Sequence, residues 1–160
     1  MGKFDYALTG LNAALDIHQY PLPISEDLFR KPSSGACFAQ PNFSGAYLQV
    51  EVDEDSRELL TITSHRGLLQ FTRLPLGVKM APAIFQQIMD AMLTGTEGAA
   101  AYLDDTIVKG SNPNELSQRW ETVLSRIRDH VIRLLLGKCT FFVPSVKYLG
   151  FVNHYSSFLP

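Results

Sequence analysis

The run Ala99-Ala100-Ala101-Tyr102-Leu103-Asp104-Asp105-Thr106-Ile107-Val108 constrains the fold more than any other stretch of the chain. Two short apolar segments meet at adjacent carboxylates. The chain can bury those segments and keep the carboxylates in water only by reversing between them. The pattern therefore predicts a hairpin whose tip is Asp104-Asp105. A polar turn needs no chemical purpose, since aspartate tolerates turn geometry. Two carboxylates on a rigid hairpin also suit Mg2+, a hard cation that takes oxygen ligands and often uses one or two carboxylates beside substrate phosphates. The pair alone leaves both readings open.

Flanking segments extend the pattern. Residues 59–64 and 67–73 are β-prone runs joined at His65-Arg66, a second predicted hairpin. Pro82 opens an amphipathic helix in which Ile84, Phe85, Ile88, Met89 and Met92 share a face, ending near Gly95. A better-marked helix follows: Asn112 is the N-cap, Pro113 the first helical residue, and Glu115 completes a capping-box pattern. Its apolar residues Leu116, Trp120, Val123, Leu124, Ile127 and Val131 keep helical spacing, and it should end before Gly137. Residues 140–143 and 146–152 read as strands around Pro144-Ser145, a further hairpin. Strands alternating with helices, with hairpins that impose antiparallel pairing, predict an α+β fold.

At 160 residues the chain is long enough for one compact unit and short for two. Its 46% hydrophobic and 19% charged residues lie in the globular range, and no repeat or linker interrupts it. No apolar run reaches membrane-spanning length, and residues 1–6 have no signal-peptide core, so an intracellular protein, cytoplasmic or nuclear and not secreted, is expected. Tyr6 stands where a myristoylation motif prefers Ser or Thr. Cys37 and Cys139 lack neighbours at metal-ligand spacing and are expected to be free thiols.

The net charge of −2 argues against a strongly nucleic-acid-binding surface overall. It conceals an asymmetry: residues 1–118 carry 8 basic and 14 acidic side chains, whereas residues 119–160 carry 6 basic and 2 acidic. That basic segment reads either as a solvated helix face or as a track for phosphates.

Around the acidic pair the chain resembles the reverse transcriptase of gypsy-type long-terminal-repeat retrotransposons. Tyr102-Leu103-Asp104-Asp105 matches the Tyr-x-Asp-Asp motif, and other family motifs stand in order. Upstream are Asp5-Tyr6, Leu11-Asn12, His18-Gln19-Tyr20-Pro21-Leu22-Pro23, Ser44-Gly45-Ala46-Tyr47-Leu48-Gln49 and a long run from Thr72 through Leu76-Gly77 and Pro82 to Gln86. Downstream are Lys138-Cys139, Phe141 and Val146-Lys147-Tyr148-Leu149-Gly150. The resemblance covers about residues 4–150 and implies a palm, an antiparallel sheet backed by helices, with partial fingers and much of the thumb missing. It implies RNA-directed DNA polymerase chemistry with Mg2+, deoxynucleotides and primer-template nucleic acid as partners, and no membrane. Asp104 and Asp105 would be the catalytic and metal-binding carboxylates. Phe43, Ala46, Tyr47, Leu76 and Gly77 would meet the nucleotide. Pro82, Tyr148, Leu149 and Gly150 would meet primer or template. For Tyr47 and residues 74–85, ordinary core packing would look the same in one sequence.

The departures are as informative. Where the family reads Ser-Lys-Leu-Asp-Leu-Ser, this chain reads Ala39-Gln40-Pro41-Asn42-Phe43-Ser44, so Asn42 replaces an aspartate that binds both metals. An amide oxygen brings no charge, and the site falls from three formal negatives to two. Pro41 falls where the family has an interior strand, and proline donates no ladder hydrogen bond. Ala7 replaces a basic residue, and the basic finger residues are expected to be absent. Residues 149–160 resemble a motif from beyond the palm, as though a deletion had joined two Leu-Gly pairs at Leu149-Gly150; residues 1–150 would be palm with partial fingers and 151–160 a short tail. The expectation is a reverse transcriptase domain inactive as it stands. The alternatives are a catalytically dead binding domain for nucleic acid or protein, or a non-functional relic.

Overall fold

The computed structural model describes residues 11–13, 20, 37–148 and the backbone of 151–154. In chain order the elements are β1 (Cys37–Gln40), β2 (Thr61–Ser64), β3 (Gly67–Gln70), α1 (Ala81–Leu93), β4 (Ala99–Tyr102), β5 (Asp105–Gly110), α2 (Pro113–Asp129), β6 (Thr140–Val143), β7 (Ser145–Tyr148) and β8 (Phe151–His154). Every pairing between these strands is antiparallel, and with the two long helices this gives the expected α+β class. Length alone implies one compact unit. The chain forms two, Met1–Pro21 with Gly45–Phe85, and Leu22–Ser44 with Gln86–Pro160. Among the described residues no helix is long and apolar enough to cross a membrane.

In the first unit β2 and β3 form the hairpin expected at His65-Arg66, with Ser64 opposite Gly67. The Ser64 hydroxyl accepts from the Arg66 N–H (3.1 Å) and donates to the Gly67 carbonyl (3.0 Å), tying off the two-residue turn. Leu60, Leu74, Val78 and Ala81 form the buried core, with Leu11, Tyr47, Val50, Val52, Phe71 and Ile84 packed around it. The Asn12 carboxamide clips the turn before α1: it donates to the Gly77 carbonyl and accepts from the Lys79 N–H, each at 2.8 Å.

The second unit is built on a four-stranded sheet in the order β4-β5-β1-β6, with β7 and β8 as a separate pair. Helix α2 lies close on β5. At Gly110 a Cβ would meet the Leu116 backbone nitrogen at 2.5 Å, so only glycine fits there. The start of α2 is as expected, since the Asn112 side chain accepts from the Glu115 N–H at 2.9 Å. The Glu115 carboxylate reaches one residue further back than a capping box requires and accepts from the Ser111 N–H at 2.6 Å. Leu116, Trp120, Val123 and Ile127 are buried as the spacing predicts.

Two expectations fail. Val131 belongs to no helical face: α2 stops at Asp129, and Val131 is 81% exposed with φ of 57°. The N–H groups of Val131 and Ile132 bond back to the carbonyls of Arg128 and Ile127, a Schellman ending with valine in the place that usually holds glycine. Nor do residues 140–143 and 146–152 pair around Pro144-Ser145. β6 pairs with β1, and β7 pairs with β8 through Tyr148 opposite Phe151. Tight hairpin turns need a positive φ at their first central residue, and proline holds φ near −65°.

Candidate active site

The hairpin of β4 and β5 forms as expected, but its tip is displaced by one residue. Tyr102 pairs with Asp105, so the two turn residues are Leu103 and Asp104, and Asp105 opens β5. Leu103 has φ of 56°, whereas Asp104 does not enter the left-handed region. This is the pattern of a II′ turn, whose first central position is ordinarily glycine. Asp104 and Asp105 both reach solvent, one on the turn and one at the head of a central strand, where the sheet partly screens the Asp105 carboxyl.

Asn42 meets this pair from the other side. β1 runs opposite β5 with Cys37 against Gly110 and Ala39 against Val108. Pro41 is buried and ends β1, as a residue without an N–H should. The register nevertheless survives it, and Asn42 forms a bridge to Asp105. Directly opposed residues share a face of the sheet, so Asn42, Asp105 and Tyr102 project to the same side. The Asn42 backbone is also held by the segment before β6: its N–H donates to the Cys139 thiol sulfur at 3.3 Å, and its carbonyl accepts from the Leu135 N–H at 2.8 Å. Cys37 and Cys139 are both free thiols, as expected.

The electrostatics follow from this crowding. Partial burial, with the Asp104 charge added to it, holds the Asp105 carboxyl above the usual range. On the same face Phe38, Ile107, Val146 and Tyr148 form a buried cluster, with Ala100, Tyr102 and Val143 around it. Tyr148 is 1% exposed, and its phenol is pushed far up by burial and then by Asp105 and Tyr102. The primer-side tyrosine expected from the sequence is thus beside the acidic pair.

The sequence matches the family described as reverse transcriptase (RNA-dependent DNA polymerase) over residues 3–153. This chain belongs to the reverse transcriptase family. The Caenorhabditis elegans protein K02A2.6 is 40% identical over 94% of the chain, which covers 12% of that protein. The Pol polyproteins of the Drosophila melanogaster transposons 412 and gypsy are 32% and 30% identical, over 88% and 84% of the chain. The chain spans 12% and 13% of those two polyproteins. Among solved structures, a foamy viral protease-reverse transcriptase in complex with double-stranded DNA matches with a TM-score of 0.84 at 19% identity, covering 93% of this chain and 26% of that one. The foamy viral protein in complex with an RNA/DNA hybrid matches with a TM-score of 0.82, also at 19% identity, covering 92% and 20%. The chain is therefore a reverse transcriptase domain of the retrotransposon Pol type with the reverse transcriptase fold.

The remaining family positions fall in both units of the reverse transcriptase chain. In the second unit Phe43 is buried and bridges Leu134. In the first, Ala46 is buried and Tyr47 is half-buried, packed edge-on against Phe85 with ring centroids 5.3 Å apart. Leu76 is 66% exposed, Gly77 has φ of 96°, and Pro82 is half-buried in the first turn of α1. Tyr47 thus makes core contacts within the first unit, as one of its two readings from the sequence allowed. Leu149, Gly150 and the motif residues 5–6, 18–19 and 21–23 lie outside the described residues.

The donor chemistry at the acidic pair suits a divalent ion in kind but is short in number. Asp104 and Asp105 supply hard carboxylate oxygens, and Asn42 adds at most one neutral carbonyl oxygen. Among the described residues no group of three His, Cys, Asp or Glu side chains is placed to hold a metal.

Sequence reading passed over one residue that the chain uses at the turn. Gln86, fully buried, accepts from the Leu103 N–H at 2.6 Å and donates to the Ala101 carbonyl at 3.0 Å and to Asp90 Oδ1 at 2.8 Å. Its motif was visible, but its partner on the hairpin is 17 residues away. No periodicity announces such a contact.

Proposed function

We propose that this chain is a reverse transcriptase palm that engages primer-template nucleic acid and binds a divalent ion weakly, but does not extend a primer. The observation that carries this reading is the bridge between Asn42 and Asp105, which puts a neutral amide on the same face as the acidic pair. In the family a carboxylate at that position binds both metals. Asp104 and Asp105 would hold Mg2+, with the Asn42 carbonyl oxygen as a weak additional ligand. When bound, the ion supplies activation of the primer 3′-hydroxyl and neutralisation of the triphosphate. The protein's own residues supply position: Asp105 is fixed between β4 and the bridge to Asn42, and Asp104 by the turn. Ala46, Tyr47, Leu76 and Gly77 are proposed for the nucleotide, and Pro82 and Tyr148 for primer and template. The foamy viral structures in complex with DNA and with RNA/DNA hybrid support nucleic acid as the partner class.

Replacing a bridging carboxylate by an amide should cost at least the roughly 10²–10³ in rate that removal of one preorganised electrostatic contact costs elsewhere. Primer extension with Mg2+ or Mn2+ should therefore be undetectable where an intact gypsy-type enzyme is active. Calorimetry should find weak Mg2+ binding that tightens in Asn42→Asp. Equal affinity in the two proteins would remove position 42 from the site. Template-dependent extension that disappears in Asp104→Asn would overturn the inactive reading.

A further inference from the structure

We propose that Gln86 is a positioning residue for the acidic hairpin: its buried carboxamide holds Leu103 in the left-handed turn that presents Asp104 and Asp105. The proposal rests on reading those two aspartates as the acidic pair of the site.

Leu103 occupies the first central position of its turn with φ of 56°, where a residue carrying a Cβ costs about 1–2 kcal/mol relative to glycine. A hairpin with leucine there would relax to another turn unless its surroundings opposed it. Relaxation would turn Asp104 away from Asp105. What opposes it is one side chain on α1. Gln86 Oε1 accepts from the Leu103 N–H at 2.6 Å, while Nε2 donates to the Ala101 carbonyl at 3.0 Å. The two bonds grip the backbone on both sides of Tyr102. β4 is the edge of the four-stranded sheet, so at Ala101 the carboxamide takes a place that a further strand would otherwise occupy.

Asp90, one helical turn along α1, fixes which way the carboxamide points. Its Oδ1 lies 2.8 Å from Gln86 Nε2. An ionised carboxylate only accepts, so the NH2 end must face Asp90 and the oxygen must face Leu103. Gln86 is 0% exposed, and water cannot replace it. Removing the carboxamide would leave the Leu103 N–H and the Ala101 carbonyl without partners, and the turn would lose the bond that offsets its strain.

The test is amide hydrogen exchange by NMR on the full chain, with Mn2+ affinity as a second reading. In the unmodified protein the Leu103 amide should exchange as slowly as the neighbouring strand amides, although it lies in a two-residue turn; fast exchange there would overturn the proposal without any variant. Gln86→Met keeps the length of the side chain and removes its polar atoms. It should speed exchange at Leu103 by about tenfold or more beyond any change in β1 and β5, and weaken Mn2+ binding by about tenfold, as loss of a ligand-orienting partner does elsewhere. Leu103→Gly, which removes the strain, should return Mn2+ affinity in the Gln86→Met background to within about twofold of the starting protein. Uniform acceleration across the sheet, or failure of that rescue, would make Gln86 an ordinary core residue. No Mn2+ binding by any of these proteins would overturn the metal reading of the aspartates, and the exchange result would then decide the role of Gln86 by itself.

Discussion

Asp105 begins its strand partly out of water and next to a residue of its own charge, and both raise its pKa. Linkage gives this a sign. The folded protein holds that proton more tightly than the unfolded chain, so stability is greatest at low pH with respect to this group and falls as pH rises through the ordinary carboxylate range and then the raised folded value. Asp105→Asn should therefore raise Tm at neutral pH, with the gain shrinking as pH falls through the raised folded value and gone below about 4. Asn42→Asp, which adds a carboxylate to the same face, should lower Tm at neutral pH when no divalent ion is present. Thermal melts across that range check both arms. A difference between Asp105→Asn and the parent that does not change with pH would assign it to something other than ionisation. Such crowding of like charge would be relieved if the pair held a cation, as proposed.

At the scale of elements, helix α2 separates what is local from what is not. Its start was legible because a cap is made by residues that are neighbours in sequence: Asn112, Pro113 and Glu115 sit where the pattern places them. Its end was not, because Ile127 and Val131 keep helical spacing and no glycine marks the stop. Strand pairing divides in the same way. The turns at His65-Arg66 and Leu103-Asp104 join strands adjacent in sequence, whereas the place of β6 beside β1 depends on a contact about 100 residues away, as between Phe38 and Val143. In the site, Asp104 and Asp105 were legible as a pair, and Asn42 only through the family resemblance; Gln86 required the fold. The ending of α2 can be tested directly. Val131 is 81% exposed, so its side chain has little packing to lose, but its left-handed backbone costs about 1–2 kcal/mol. Val131→Gly should stabilise the protein by about 1 kcal/mol after the added freedom of the unfolded chain is subtracted. Urea unfolding at equal slope is the measurement. No gain, or a loss, would mean that the turn after Asp129 is held by contacts the valine itself makes.

For the whole molecule the question is where a phosphate backbone would find its charge. Residues 119–160 carry six basic side chains, but they are not equivalent. Arg119 is committed within the fold: it pairs with Glu115 at 2.7 Å and Glu97 at 3.8 Å and donates to the Lys109 carbonyl at 2.7 Å. Arg126 is half-buried, which leaves Arg128, Arg133, Lys138 and Lys147 exposed. If these carry the binding, each phosphate contact contributes about −0.9 to the slope of log K against log salt on duplex DNA, so the slope should be no steeper than about −4. Lys138→Glu and Lys147→Glu should each flatten it by about 1. Arg119→Ala should leave it unchanged while lowering Tm, because that guanidinium holds the start of α2 to the end of β5. Fluorescence anisotropy over a salt series, preceded by a cooperative melt of each variant, gives all four slopes. A parent slope that ignores both lysine substitutions would move contacts to other basic side chains, among them Arg66 and Lys79, which are exposed in the first unit, and a slope steeper than about −4 would require more contacts than these four side chains make. A flat line in the parent would remove phosphate recognition from the chain altogether.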